Sequence, residues 1–194
     1  MQVLDNDAAI ESFSRDWQEV PEEMTENVNQ TREAALEELV RKIGAMLCAQ
    51  GSMLATAESC TGGLVAHELT NMPGSSRWFS GGVVAYSNQV KQLLLEVPED
   101  VILAQGAVSR ETVLAMAAGA RKLLKTRAAL AVSGIAGPDG GTPDKPVGTV
   151  WLAWTVDDAA HALCCRFSGS RREIKRQSAL AALEGLLAML ASPD

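Results

Sequence analysis

The spacing of apolar residues divides the chain into an irregular leader and a regular body. Residues 1–30 contain scattered apolar side chains without a sustained period. From Thr31 to Gly51 apolar residues recur at helical spacing, with Arg41 and Lys42 off the apolar face, which predicts an amphipathic helix. We therefore expect a leader over residues 1–30 and one domain over residues 31–194.

Five short apolar runs follow this helix and predict strands, because most are apolar throughout, as in a sheet covered on both faces. Helical patterns lie between them, and Ser109 and Ser170 stand where helix N-caps are favoured. The predicted strands are Met53 to Ala57, Val83 to Tyr86, Ala128 to Val132, Thr149 to Val156 and Ala162 to Phe167, and the predicted helices are Leu64 to Leu69, Ser87 to Leu95, Ser109 to Lys125 and Arg171 to Leu190.

The segment between the last two runs, residues 157–161, is too short for a helical crossover. It therefore predicts an antiparallel hairpin at the end of the sheet. The expected fold is of the α/β class: a single three-layer α/β/α domain with a mixed sheet of about five or six strands.

Charge changes this picture in one respect. The net charge of -7 lies in the leader, because residues 1–30 hold eight acidic side chains against Arg15, and the rest of the chain holds 16 acidic and 16 basic ones. An acidic leader and a neutral body lack the basic face that nucleic-acid binding needs, so we expect no nucleic-acid partner. No apolar run approaches the length of a membrane span, so we expect no membrane partner and a cytoplasmic location.

The four cysteines form no C-x-x-C pair and the chain has two histidines. This pattern predicts buried free thiols and no metal site.

The stretch Met53 to Gly63 is the most informative, because it runs from a strand into a helix through a turn with two glycines. Gly62 and Gly63 allow a ligand close to the backbone, and N–H groups at the start of a helix attract negative charge. Ser59 is therefore a candidate nucleophile. The alternative is that Ser59 or Thr61 is only an N-cap.

Lys91 is the candidate base for Ser59. His67 lies on an apolar helix and His161 follows a turn, so both are poor bases for a triad. A lysine whose pKa is lowered by apolar surroundings can accept a hydroxyl proton, and Tyr86 could hydrogen-bond in the same pocket. The alternative is a solvated lysine.

Two further segments suggest binding. The loop Ser133 to Gly141 has four glycines in nine residues and follows a strand, where crevices form in α/β proteins, although it could be a tight surface turn. At the start of the last helix, Arg171 and Arg172 begin a cluster of four cations where the helix dipole favours anions. A bound phosphate would compensate, with a partner surface or simple solvation as alternatives.

Together these motifs closely resemble the CinA C-terminal domain family, over roughly residues 31 to 190. The matching segments are Thr56-Ala-Glu-Ser-Cys-Thr-Gly-Gly63, Ala85-Tyr-Ser-Asn88 with Lys91, Gly106-Ala-Val-Ser109, and Ser133-Gly-Ile-Ala-Gly-Pro-Asp-Gly-Gly141 with Lys145-Pro-Val-Gly-Thr-Val150.

Stand-alone members of this family are nicotinamide-nucleotide amidohydrolases. The resemblance implies deamidation of nicotinamide mononucleotide to nicotinate mononucleotide and ammonia in pyridine-nucleotide salvage, without a metal or other cofactor, in a homo-oligomer. It implies Ser59 as nucleophile, Lys91 as base and Tyr86 as a supporting hydroxyl. The residues expected to bind substrate are Glu58, Cys60, Thr61, Gly62, Gly63, Ser133, Gly134, Gly137, Arg171 and Arg172.

Two alternatives remain open. Cys60 adjoins Ser59 and could be the nucleophile, although a cysteine at that point of the turn can point into the core. The chain could also be a non-catalytic nucleotide-binding protein associated with competence or DNA damage. Ammonia release from nicotinamide mononucleotide separates that reading from the amidohydrolase.

Overall fold

The computed structural model describes residues 25–191 of the chain. Most of the predicted leader, residues 1–24, lies outside the described residues, and so do residues 192–194. The described helices are α1 (Thr25–Ala49), α2 (Leu64–Thr70), α3 (Asn88–Leu95), α4 (Glu99–Gln105), α5 (Arg110–Leu124) and α6 (Arg171–Ala191), and the strands are β1 (Leu54–Glu58), β2 (Phe79–Val84), β3 (Ala128–Gly134), β4 (Thr149–Val156) and β5 (Ala159–Arg166).

The five strands form one mixed sheet in the order β2-β1-β3-β4-β5. Strand β1 pairs in parallel with both β2 and β3, whereas β3, β4 and β5 pair in antiparallel fashion. The predicted α/β class, the mixed sheet and the terminal hairpin are confirmed.

Helices cover both faces of the sheet because the strands bury both of their faces. On one face Leu54, Leu130 and Leu152 pack against α1, α2 and α6. On the other face the strands present mainly alanines, among them Ala55 and Ala131, against α3, α4 and α5. Alternate residues of a strand point to opposite faces, so one sequence run serves both layers.

Several elements differ from the sequence-based prediction. Helix α1 begins at Thr25 rather than Thr31, inside the predicted leader. Strand β2 lies at Phe79–Val84 rather than Val83 to Tyr86, because Gly81 and Gly82 interrupt the apolar pattern of its first half. Strand β5 begins at Ala159, so the hairpin turn contains two residues, of which Asp157 has a positive φ of 49°. Helix α4 was not predicted, since its seven residues are too few for a helical period to emerge.

The sheet topology brings several chain segments to one edge. The parallel strands β1, β2 and β3 end at this edge, and β4 begins there because it runs in the opposite direction. The first turn of α6 follows the end of β5 at the same edge. Within residues 25–191, no helix combines the length and the apolar character that crossing a membrane requires.

Candidate active site

Ser59 is the first residue after β1, the strand paired on both sides in the parallel half of the sheet. Its backbone N–H donates to the carbonyl of Val132 at 2.9 Å, which continues the pairing of β1 with β3 into the turn. The residue is only 8 % exposed. The candidate nucleophile is therefore held by the backbone of the sheet itself.

Lys91 reaches Ser59 from helix α3. The hydroxyl of Ser87 caps this helix by accepting the N–H of Val90 at 3.2 Å, as N-cap serines commonly do. The Lys91 side chain is 1 % exposed, and its Nζ lies 3.0 Å from Ser59 Oγ. Lys91 and Ser59, proposed from the sequence as base and nucleophile, are therefore in direct contact.

Two backbone carbonyls orient the Lys91 amine. Nζ donates to the carbonyl of Ala85 at 2.8 Å and to that of Tyr86 at 3.3 Å. A neutral amine has two N–H donors and one lone pair, and these two carbonyls can accept both N–H groups. In that neutral form the lone pair is left for Ser59 Oγ, whose proton it can accept.

Burial also favours the neutral form of this amine, because it lowers the pKa of Lys91 below its ordinary value of 10.5. A thiolate at Cys60 would oppose that shift. However, burial raises the pKa of Cys60 to about 12, although N–H groups of Cys60 and Thr61 partly offset the effect. The Cys60 side chain lies in the apolar core and stays a thiol near neutral pH.

Glu58 makes contacts that the sequence does not indicate. Its carboxylate is 1 % exposed and accepts the N–H groups of Gly63 at 2.9 Å, Val65 at 3.1 Å and Ala66 at 2.8 Å. The carboxylate therefore satisfies the N-terminus of α2 from inside the protein. Both oxygens are turned to the backbone rather than toward a substrate.

The N–H groups of the glycine turn have similar internal partners. Gly63, with φ 94°, is the N-cap of α2, so neither Ser59 nor Thr61 has the capping role considered as the alternative. The N–H of Gly62 donates to the carbonyl of Ser59 at 3.1 Å. The negative charge expected at this helix end is thus supplied by Glu58. Thr61 is fully buried, with a hydroxyl that has no hydrogen-bond partner among the described residues.

Arg171, in the first turn of α6, connects two loops at this edge of the sheet. Its guanidinium donates to the carbonyl of Gly137 at 2.6 Å and to the hydroxyl of Tyr86 at 2.9 Å. The Tyr86 side chain is 61 % exposed. The tyrosine thus meets Lys91 through its carbonyl and Arg171 through its hydroxyl.

Lys175 also lies at the site, although the sequence analysis did not single it out within the cluster of four cations. Its Nζ lies 3.4 Å from the position that a Cβ on Gly62 would occupy, so the ammonium lies over the glycine turn. Spacing could have indicated this, because residues four apart share a helix face and Arg171 already points to the site. Arg172 is exposed.

The charge at the start of α6 is partly balanced within the chain. Glu173 accepts the N–H of Ser170 at 2.7 Å, and Ser170 Oγ accepts the N–H of Glu173 at 3.4 Å. This reciprocal pair is a capping box, and the contact with Ser170 lowers the pKa of Glu173. The mismatch between cations and helix dipole is therefore smaller than the cluster of four cations suggests.

The second glycine-rich loop is anchored to the segment between α4 and α5. Ser133 Oγ donates to the carbonyl of Ala107 at 2.7 Å, and Lys145 Nζ donates to those of Gln105 and Val108, both at 2.8 Å. A Cβ on Gly134 would lie 2.6 Å from Val150 Cγ2, which is too close for any side chain at this position. These contacts anchor the loop: Ser133 does so through a hydrogen bond, and Gly134 allows close packing against Val150.

Neither histidine contacts the Ser59 and Lys91 pair. His67 is exposed on α2 beside Asn71, and His161 stacks on Trp154 with ring centroids 6.1 Å apart. The part of the chain that the structure describes contains no group of three or more His, Cys, Asp and Glu side chains able to hold a metal ion.

Comparisons with known proteins agree on one family. Residues 36–190 match the model of the CinA C-terminal domain. The nicotinamide-nucleotide amidohydrolase PncC of Pseudomonas putida is 49% identical over 149 residues, 77% of this chain and 93% of that protein. A CinA-like protein of Syntrophotalea carbinolica is 49% identical over 150 residues, 77% of this chain but 36% of that longer protein.

A solved structure gives the same result. The competence/damage inducible protein CihA of Agrobacterium tumefaciens is 42% identical, with a TM-score of 0.78 over 81% of this chain and 96% of that one.

Proposed function

Because the chain belongs to the family of the CinA C-terminal domain, we propose that it is a nicotinamide-nucleotide amidohydrolase. The reaction is hydrolysis of the carboxamide of nicotinamide mononucleotide to nicotinate mononucleotide and ammonia. The observation that carries the proposal is the buried 3.0 Å contact between Lys91 Nζ and Ser59 Oγ, in a chain 49% identical to a named amidohydrolase.

The first half-reaction forms an ester on Ser59. Ser59 Oγ attacks the carboxamide carbon while its proton moves to the neutral Lys91 amine. The tetrahedral intermediate then collapses, Lys91 returns the proton to the departing nitrogen, and ammonia leaves. A nicotinoyl ester of Ser59 remains.

The second half-reaction reverses these roles with water. Lys91 takes a proton from a water molecule, whose oxygen attacks the ester carbon. The ester bond breaks, the proton returns to Ser59 Oγ, and nicotinate mononucleotide is released. Lys91 thus alternates between amine and ammonium, and the Ala85 and Tyr86 carbonyls accept hydrogen bonds from both forms.

The backbone donors for the oxyanion are fewer than the sequence suggests. The N–H groups of Ser59, Gly62 and Gly63 are engaged by protein oxygens. We assign the oxyanion to the N–H groups of Cys60 and Thr61, the remaining donors of this turn.

Arg171 is the arginine that we assign to the substrate phosphate, in preference to Arg172. Its guanidinium already points toward Tyr86 and Gly137 at the edge of the site. Lys175 lies on the same face of α6, beside Gly62, and adds a second positive charge. Tyr86 is a supporting residue in this assignment. Its ring is exposed beside the proposed phosphate site, and its hydroxyl accepts a hydrogen bond from Arg171.

Replacing Arg171 with alanine is expected to impair turnover of nicotinamide mononucleotide more than that of the phosphate-free riboside. A lost charge-assisted hydrogen bond costs about 1.5 to 3 kcal/mol. This corresponds to roughly a ten- to hundredfold lower kcat/KM for the nucleotide. Arg172→Ala is the matched control and should change neither substrate. Equal losses on both substrates for Arg171→Ala would mean that this arginine supports the structure of the two loops and does not bind the phosphate.

The proposed function is tested by incubating the purified protein with nicotinamide mononucleotide and measuring the ammonia released. We expect one ammonia for each nicotinate mononucleotide formed, with both nucleotides quantified by chromatography. Free nicotinamide is the control for the requirement of the ribose phosphate. Binding of the nucleotide without any ammonia would instead support the non-catalytic nucleotide-binding protein.

We also propose that the protein is a cytoplasmic homo-oligomer. Its four cysteines are free thiols, which suits a reducing compartment, although only Cys60 is fully buried and the prediction of buried thiols was wrong for the other three. Four large apolar side chains are exposed between β2 and the end of α3, a pattern that fits a subunit contact at the sheet edge. These side chains are Val84, Tyr86, Leu93 and Leu94.

A further inference from the structure

The Glu58 carboxylate is buried beside the nucleophile, and none of the reaction steps above uses it. Among residues 33–191 it makes no ion pair with Lys, Arg or His within 4.0 Å. Burying a carboxylate is costly unless hydrogen-bond donors surround it, and here it has three, all from the start of α2. Because burying a carboxylate is energetically unfavourable, Glu58 is expected to have a specific role.

Glu58 connects the two halves of the catalytic pair. It is adjacent to Ser59 in the chain, and its side chain fixes the far end of the same turn through Gly63. Its backbone carbonyl accepts the N–H of Ala85 at 2.7 Å. The carbonyl of Ala85 in turn accepts a hydrogen bond from Lys91. One residue therefore sets both the serine turn and the segment that orients the amine.

We propose that Glu58 is a positioning residue, whose carboxylate holds the turn from Ser59 to Gly63 in the shape that directs Ser59 Oγ at Lys91. The inference rests on the proposed function and goes beyond it, because Glu58 acts on the catalytic pair without touching the substrate. A carboxylate is required, since Oε2 accepts two N–H groups and Oε1 accepts the third. An amide of the same shape has one oxygen, so its NH₂ group would face an N–H donor.

The test compares Glu58→Gln with Glu68→Gln, a matched control on α2, the helix whose N–H groups Glu58 accepts; the Glu68 carboxylate instead contacts Asn71. A fluorophosphonate probe that reacts with an activated serine measures two quantities: the rate constant of labelling and the final labelled fraction. We expect Glu58→Gln to reach the same fraction as wild type, roughly ten- to a hundredfold more slowly, because a small misplacement of a reacting group has effects of that size. Glu68→Gln should match wild type.

Steady-state ammonia release supplies the second readout. For Glu58→Gln kcat should fall by a similar factor while KM stays within about twofold, since substrate binding is not altered. Glu58→Asp keeps the charge on a shorter side chain and should also label fully but slowly. A wild-type labelling rate in either variant overturns the proposal. So does a reduced labelled fraction in both, which would make Glu58 a purely structural residue.

Labelling requires no nicotinamide substrate, so the two proposals can fail separately. A wild-type protein that labels at Ser59 but releases no ammonia refutes the amidohydrolase and leaves the role of Glu58 to be decided by the labelling rates. Ammonia release by wild type with unchanged rates in both Glu58 variants refutes the positioning role alone.

Discussion

Ser59→Ala is expected to fold normally and to release no measurable ammonia from nicotinamide mononucleotide. Without Oγ no ester intermediate can form, so kcat should fall by roughly four orders of magnitude or more. The fold should persist because the backbone N–H of residue 59, and not its side chain, makes the bond to Val132. Turnover assays and thermal unfolding followed by circular dichroism measure the two effects.

Two other variants make this result specific. Ser80→Ala changes an exposed serine on the neighbouring strand β2 and should keep wild-type turnover. Cys60→Ala distinguishes the thiol from the hydroxyl. If Ser59→Ala retained near-normal turnover while Cys60→Ala lost it, the nucleophile would be the thiol, despite the pKa of about 12 that burial gives it.

Lys91→Arg should lower kcat by roughly two to four orders of magnitude, the range associated with loss of a general base. The substitution keeps a positive charge, but a guanidinium stays protonated and cannot accept the Ser59 proton. Lys91→Met tests the same role with an uncharged side chain of similar length, in case the guanidinium does not fit the buried space. Lys42→Arg, on the exposed face of α1, is the matched control. Wild-type turnover in either Lys91 variant would exclude the base role.

The pH dependence of wild-type kcat/KM should report the same group. The base must be neutral, so activity rises with pH as Lys91 loses its proton and levels off above its pKa. Because burial lowers that pKa, the midpoint of the rise should lie below 10.5, the ordinary lysine value. A midpoint at or above that value would indicate a solvated lysine. The rising limb should vanish from the residual activity of Lys91→Met.

The parts of the fold with strong local patterns were predictable. Helix α5 begins after its N-cap Ser109, whose hydroxyl accepts the N–H of Thr112, and the first five residues of β3 are an uninterrupted apolar run. In contrast, β2 was displaced in the sequence reading because two adjacent glycines carry no side-chain pattern. Short elements such as α4 escape because periodicity needs more residues than they have.

For the site, the types of residue were predictable but most of their partners were not. A serine at a glycine turn and a lysine after the next strand indicated the pair Ser59 and Lys91, which the structure brings into contact. Nothing local distinguishes a glutamate that binds substrate from one that caps a helix, so Glu58 was assigned only by its place in a motif. Ser133 is similar, since its acceptor, the carbonyl of Ala107, lies 26 residues away.

The N–H of Ser59 donates to Val132 and so extends the β1 and β3 ladder by one residue into the catalytic turn. Backbone groups bonded within central strands open only when the surrounding core opens, with a free energy close to that of global unfolding. We therefore expect the backbone of Ser59 to open only together with the core of the sheet. The motions that admit substrate or release product are then expected around Tyr86, which is exposed, and Arg171, which joins two loops. The geometry of the Ser59 turn should therefore persist as long as the domain is folded, whereas the access of substrate to Ser59 can vary.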